Sequence, residues 1–156
     1  MDEQIEIYTD GSCINSTNQG GWAYRILYSN EMICKSFGTI EHTTNNQMEM
    51  RAVLEALRRY ETLNDEYRAY TVIVRTDSAY VANAFNEKWI DKWKKNGWIS
   101  SNKTPVKNKE LWEELDTVIY RNGIHIERVQ RSDKNIKKVD IKSRESAKKN
   151  CSKTQI

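Results

Sequence analysis

The stretch that most narrows the possible folds is Tyr70 to Arg75, where Val72, Ile73 and Val74 follow one another without a polar break. An unbroken β-branched run describes a strand covered on both faces, and such a strand needs sheet neighbours and a packed layer on each side. The rest of the chain supplies both. Gln4 to Cys13 alternates Ile5, Ile7 and Thr9 with Glu6, Tyr8 and Asp10, the period of a strand. Gly20-Gly21 punctuates the chain before Trp22 to Tyr28, and Ser29-Asn30 separates that run from Met32 to Ile40, so three consecutive antiparallel strands come first. Thr43-Thr44-Asn45-Asn46 then offers N-cap candidates for a helix whose Met50, Val53, Leu54 and Leu57 recur at helical spacing. Beyond the buried strand, Asp77-Ser78 caps a helix through Phe85 and a further helix runs from Lys109 to Tyr120. Ile124 to Val129 alternates as a last strand, and the tail from Lys138 forms a basic helix. The order βββ-α-β-αα-β-α predicts an α/β fold, a mixed five-stranded sheet with helices on its faces and a site where parallel strands end.

Nothing marks a second domain. The 156 residues hold one proline, Pro105, and no repeat or low-complexity linker, so residues 1–156 read as a single domain long enough to bury a core. With 38% hydrophobic and 30% charged residues, the composition is that of a globular chain. No apolar run approaches the roughly 18 residues of a membrane helix, and the acidic start MDEQIEIYTD is not an export signal. Cys13, Cys34 and Cys151 are odd in number and lack CxxC spacing, which points to a reducing compartment, read as cytoplasmic, and away from structural zinc. Net charge is only +3, but lysines concentrate between Lys88 and Lys109 and again from Arg131 to Lys153. Such clusters are either solvated faces or polyanion-binding surfaces.

Four acids stand where structure alone gives little reason for them. Asp10 lies within a strand, Asp77 ends the buried one, Glu49 falls in the first turn of the long helix, and Asp140 sits in a lysine-rich segment. Singly, each has a structural explanation: Asp10-Gly11 as a turn, Asp77 as a helix cap, Glu49 as a partner of the helix dipole, Asp140 as a surface acid. Together they read differently. If the first and fourth strands are neighbours, Asp10 and Asp77 converge and the helix start brings Glu49 beside them. Like charges about 4 Å apart repel by roughly 4 kcal/mol at an effective dielectric of about 20, so the cluster needs divalent cations or protons. Oxygen donors without Cys or His favour Mg²⁺ or Mn²⁺ over zinc. A pair of such ions about 3.5–4 Å apart activates a water and stabilises the leaving oxygen of a phosphodiester.

The segments IEIYTDGSC, TTNNQMEM, VRTDSAYV and WIDKWKKNGW…TPVKNKELW resemble those of type 1 ribonucleases H in order and interval, from about Ile5 to Asp140. The resemblance implies the ribonuclease H-like fold, with strand order 3-2-1-4-5, the first three strands antiparallel, helices on both faces and a basic protrusion. It implies Asp10, Glu49, Asp77 and Asp140 as the catalytic ligands of two Mg²⁺ ions, with Mn²⁺ as a substitute. It further implies sequence-tolerant endonucleolytic cleavage of the RNA strand of RNA–DNA hybrids, leaving 5′-phosphate and 3′-hydroxyl ends.

By the same likeness the protrusion grips the DNA strand through Trp89, Trp93, Lys94 and Lys95, while Trp98 and Trp112 read as core. Lysines hold phosphates without reading sequence, and flat aromatic faces pack on sugars. Asn45 and Asn46 resemble the pair that reads the minor groove, where the 2′-hydroxyl is the group to recognise, and they can cap the helix at the same time. Cys13 sits where the family contacts the RNA strand. Ser16 aligns with a family asparagine, and Asn15 is the adjacent amide that substitutes for it. Thr44 and Asn108 resemble residues of the DNA-phosphate pocket, and His42 stands near it where many members have arginine, which implies a pH-dependent grip.

Two segments depart from the family pattern. The loop INSTNQGG after Cys13 lacks the usual glycine-proline pattern. From Val129 to Asp140 the chain is short and without the histidine that many members carry there, so Arg131 or Lys134 is expected to approach the scissile phosphate in its place. Aligning Asp140 needs a gap, which leaves Asp133 as the alternative ligand. His125 alternates within the last strand and should face solvent. A hybrid-binding module without cleavage remains open, motivated by the altered loop and opposed by the four acids. A resolvase-like nuclease acting on DNA is opposed by TTNN and the tryptophan-lysine protrusion. A domain cut from a reverse transcriptase is set against a chain that starts and ends like a complete protein, without the N-terminal hybrid-binding module of many eukaryotic members. A monomer with no membrane or obligate protein partner is expected.

Overall fold

The computed structural model describes residues 3–149, so Cys151 and Lys153 lie outside the described residues. Three antiparallel strands come first, β1 (Gln4–Ile14), β2 (Gln19–Tyr28) and β3 (Glu31–Ile40), followed by helix α1 (Asn45–Glu61). A 3-10 turn (Asp65–Ala69) leads to β4 (Thr71–Thr76), then α2 (Ala79–Asn86), α3 (Trp89–Asn96), α4 (Lys109–Asn122), β5 (His125–Arg128) and α5 (Lys134–Lys148). The sheet order is β3-β2-β1-β4-β5, as the family resemblance implies, with β4 parallel to both β1 and β5.

The β1 alternation sorts its side chains between two layers. Ile5 and Ile7 join Val72 and Val74 of β4 beneath the apolar stripe of α1, with Trp112 and Leu115 of α4 in the same core. Tyr8 faces the other way, packing with Ala23 and Leu27 of β2 against Ile136 and Val139 of α5. Helices therefore cover both faces, but unevenly, because α5 lies over β1, β2 and β3. That unevenness corrects the expectation that β4 is buried on both sides. Val72, Val74 and Thr76 are buried, whereas Ile73 and Arg75 are only half-buried on the α5 side. There Arg75 bonds Glu6 and donates to the Tyr8 hydroxyl at 2.9 Å, which satisfies the guanidinium where no helix covers it.

Local chemistry shifts three boundaries. Thr44 is the N-cap of α1, accepting the Gln47 N–H at 3.2 Å, so Glu49 falls in the second turn rather than the first. Ser78, not Asp77, caps α2 through the Val81 N–H, so the Asp77 carboxylate is not used in capping. Asp133 Oδ1 accepts the N–H groups of Asn135 at 2.8 Å and Ile136 at 3.1 Å, starting α5 at Lys134 rather than Lys138. Asp140 thus stands on a helix, and the Trp-Lys stretch forms its own helix, α3, ended by Gly97 in the left-handed conformation.

Two glycines let the layers touch. A Cβ on Gly11 would lie 2.2 Å from the Met48 carbonyl carbon and 2.4 Å from the Glu49 nitrogen, so only glycine lets α1 rest on β1 at this point. A Cβ on Gly21 would lie 2.2 Å from the Ser143 carbonyl oxygen, and its absence seats α5 on β2.

Candidate active site

The parallel register of β1 and β4 sets Thr9 opposite Thr76, so the next residues, Asp10 and Asp77, emerge side by side. Seated on Gly11, α1 brings in Glu49, whose Oε1 accepts the Gly11 N–H at 2.7 Å. Carboxylate oxygens of Asp10, Glu49 and Asp77 lie within 4.8 Å of one another, and Asp10 is only 4% exposed. Asp77 Oδ1 is buried with no hydrogen-bond partner among the described residues. A buried carboxylate oxygen left without a donor is costly, and a cation or a proton can satisfy it.

The electrostatics carry the same message. Burial, then the charge and hydrogen bond of Glu49, hold the Asp10 carboxyl far above the ordinary carboxylate range, with Asp77 and Asp140 adding to the rise. Burial also lifts Glu49, helped by the Asp77 charge and opposed by hydrogen bonds from Asp10 and from the Gly11 N–H. Without a metal the pair shares a proton, and the two groups titrate together.

Asp140 stands beside Asp10 at the edge of this cluster. Its Oδ1 accepts from Arg144 Nε at 2.9 Å, one helical turn on, and its side chain is 30% exposed. Asp133, the alternative ligand, has its Oδ1 engaged as the α5 cap. Arg131 reaches the triad from the short loop after β5, its Nε 3.4 Å from Asp77 Oδ2. With Arg128 and Gln130 it lines an open cleft of about 650 Å³ beside Glu49 and Asp77. Lys134 does not share that cleft; it lines a separate depression with Arg25, Leu27 and Asn30. His125 is exposed, as expected.

A second groove, of about 670 Å³, collects much of the expected substrate surface: Thr44, Asn46, Trp89, Trp93 and Asn108 line it. Asn108, in the left-handed conformation that asparagine tolerates, is held at both ends of its amide. Gln47 Nε2 donates to its Oδ1 at 3.0 Å, and its Nδ2 donates to the Tyr80 hydroxyl at 3.2 Å. Neither Gln47 nor Tyr80 stands out in the sequence, because the contacts that matter are made across the fold. Trp93 packs against Trp89, Trp98 and Trp112, which anchors the protrusion on the core; Trp112 is fully buried and Trp98 half-buried.

The remaining expected residues scatter. Lys94 is taken up by an ion pair with Asp116 of α4, whereas Lys95 is exposed. Asn45 Oδ1 accepts the Cys13 N–H at 2.6 Å, so these two tie the end of β1 to the start of α1. Asn15 and Ser16 are exposed in the following turn. His42 is exposed with a positive φ of 56° and does not line the groove.

Known proteins resemble this chain in sequence and in fold. The RNase H family model matches residues 2–148. A ribonuclease H of Caldanaerobacter subterraneus subsp. tengcongensis is 46% identical over 114 residues, covering 72% of this chain and 69% of that protein. A ribonuclease H of Neisseria meningitidis serogroup C is 44% identical over 124 residues, 80% of each. Among solved structures, LC11-RNase H1 in complex with an RNA/DNA hybrid matches with a TM-score of 0.73 at 22% identity, covering 92% of this chain and 96% of that one. The foamy viral protease-reverse transcriptase in complex with RNA/DNA hybrid gives 0.76 at 21% identity over 92% of this chain, which spans only 20% of the viral one. These structural likenesses bear on the fold, and the family follows from the sequence matches. Carried by a family match over nearly its whole length and by relatives sharing close to half their aligned residues, the chain belongs to the ribonuclease H family.

Proposed function

We propose that this chain is an endonuclease that hydrolyses the RNA strand of RNA–DNA hybrids with little regard to sequence, leaving 5′-phosphate and 3′-hydroxyl ends. The observation that carries the reading is the buried oxygen-only triad Asp10, Glu49 and Asp77 with an unpartnered Asp77 oxygen. Hard oxygen donors without nitrogen or sulfur suit Mg²⁺, with Mn²⁺ as a substitute. Asp10, Glu49, Asp77 and Asp140 are the residues that would hold two such ions, whose chemistry is to activate a water and to stabilise the leaving oxygen.

The chain's own groups do the rest. The Gly11 N–H aims the Glu49 carboxylate at the cluster. Arg131, 79% exposed and at hydrogen-bonding reach of Asp77, is placed to follow a phosphate at the cleft mouth, and takes the role expected of Arg131 or Lys134. Trp89 and Trp93 offer flat faces to the DNA sugars, while Thr44 and Asn108 take a phosphate. Asn46 faces the same groove near the helix start, where a 2′-hydroxyl can be read by an amide. No helix among the described residues is long and apolar enough to cross a membrane. The free thiols Cys13 and Cys34 fit a reducing cytoplasm, and we read the protein as a monomer acting without an obligate partner, which light scattering checks.

The test is cleavage of an end-labelled hybrid with Mg²⁺, with Mn²⁺ and with EDTA, beside duplex DNA, duplex RNA and an Asp77→Asn variant. Metal-dependent cutting of only the hybrid's RNA strand, lost in the variant, is the expected result. Tight hybrid binding without cutting under either metal would overturn it in favour of a binding module.

A further inference from the structure

The lysine cluster of α5 plays no part in the active site, and the fold shows where it points. Lys134, Lys138 and Lys142 recur every four residues, about 6 Å apart along one flank of the helix. Asp140 lies two residues from Lys138 and Lys142, about 200° around the helix, so the carboxylates and the lysine row occupy opposite flanks. The row faces the edge strand β3 across a groove of about 270 Å³ lined by Arg25, Lys35, Phe37, Lys138 and Lys142. The groove continues into the depression of about 380 Å³ that holds Lys134, sharing Arg25 and Lys138 with it.

Most of the charge here is uncompensated among the described residues. Arg25 and Lys35 are direct cross-strand partners, and like charges so placed oppose folding. Arg25 Nε is buried without a hydrogen-bond partner, and burial lowers its pKa. Of the five cations Arg25, Lys35, Lys134, Lys138 and Lys142, only Lys142 meets an acid among the described residues, the exposed Glu145 at 3.5 Å. Phe37 holds the far end in place, with the ammonium groups of Lys142 and Lys149 at 4.1 and 4.4 Å from its ring centre. Five cations line one groove, three of them in a regular row on α5, and such a surface attracts an extended polyanion.

We propose that the groove between α5 and β3 binds the phosphodiester backbone of a single nucleic-acid strand, at a site separate from the catalytic cleft. The regular spacing of the α5 lysines along the groove suits the successive phosphates of one strand. The choice of nucleic acid over an acidic protein segment rests on the proposed nuclease activity. The site would hold single-stranded tails of a substrate whose hybrid portion occupies the cleft.

The experiment is anisotropy of a labelled single-stranded oligodeoxynucleotide in EDTA, between roughly 50 and 200 mM salt. It compares the wild type with Lys138→Ala/Lys142→Ala and with Lys137→Ala/Lys148→Ala, a control of equal charge on the same helix. The groove variant should bind more weakly, with a log–log salt slope shallower by about 1.4, at about 0.7 for each phosphate no longer neutralised. The control should stay near the wild type, and cleavage of a blunt hybrid should be unchanged in both. Equal weakening in the two variants, or none in the groove variant, would overturn the proposal. So would displacement of the oligonucleotide by polyglutamate as readily as by unlabelled strand, which would assign the groove to acidic protein. Because the readout is metal-free and single-stranded, its failure leaves hybrid cleavage untouched, and failure of hybrid cleavage is seen separately.

Discussion

Gly11 does two jobs at one position: it lets α1 touch β1, and its N–H holds Glu49. Gly11→Ala should therefore destabilise the protein by about 1–3 kcal/mol through overpacking and displace Glu49, seen as a lower denaturation midpoint together with weaker Mg²⁺ binding by calorimetry. Asp10 makes the opposite prediction for stability. Its folded pKa is raised, so in the metal-free protein the native state binds the extra proton. That contribution is complete below the unfolded carboxyl value and is lost as pH rises toward the folded one. At neutral pH, Asp10→Asn should raise the melting temperature of the metal-free protein by about 4–8 °C, for a gain of about 2 kcal/mol. The gain should shrink toward pH 4 while cleavage stays abolished; a variant less stable than the wild type at pH 7 would contradict it.

At the scale of elements, α3 and the loop after β5 carry the two most discriminating tests. The resemblance treats Lys94 and Lys95 alike, but Lys94 is engaged by Asp116 and Lys95 is exposed. Lys95→Ala should flatten the salt dependence of hybrid binding by about 0.9, the value of one phosphate, and Lys94→Ala by clearly less. In the loop, Arg131 touches Asp77 and Lys134 faces a different groove. Arg131→Ala should lower kcat by roughly tenfold to a hundredfold with little change in KM, while Lys134→Ala leaves kcat intact; steady-state kinetics on a hybrid separate the two.

For the whole molecule, the acid cluster is a stability deficit that a bound cation would remove. Millimolar Mg²⁺ should raise the melting temperature of the wild type at pH 8 in proportion to the logarithm of its concentration, and should not do so in Asp77→Asn, as differential scanning calorimetry would show. The same view explains which parts of the site could be read in advance. Once β1 and β4 are neighbours, Asp10 and Asp77 must meet, because parallel register aligns the ends of the two strands. Hydrophobic periodicity, the cap clusters that hold Thr44 and Ser78, and the family motifs were likewise local patterns carried by adjacent residues.

What only the tertiary structure decided are pairings between residues far apart in the chain. Gly11 and Glu49 are 38 positions apart, Arg131 and Asp77 54, and Gln47 and Asn108 61. No periodicity encodes such contacts; they exist because folding brings separate elements together, in one case by seating α1 on Gly11. The acids and the family were legible because short-range patterning and motif spacing are properties of the chain itself, and the strand order followed from the family resemblance. The partner of each charge was not, since Lys94, Lys134 and Arg131 look equivalent as letters and differ only in what the folded chain places beside them.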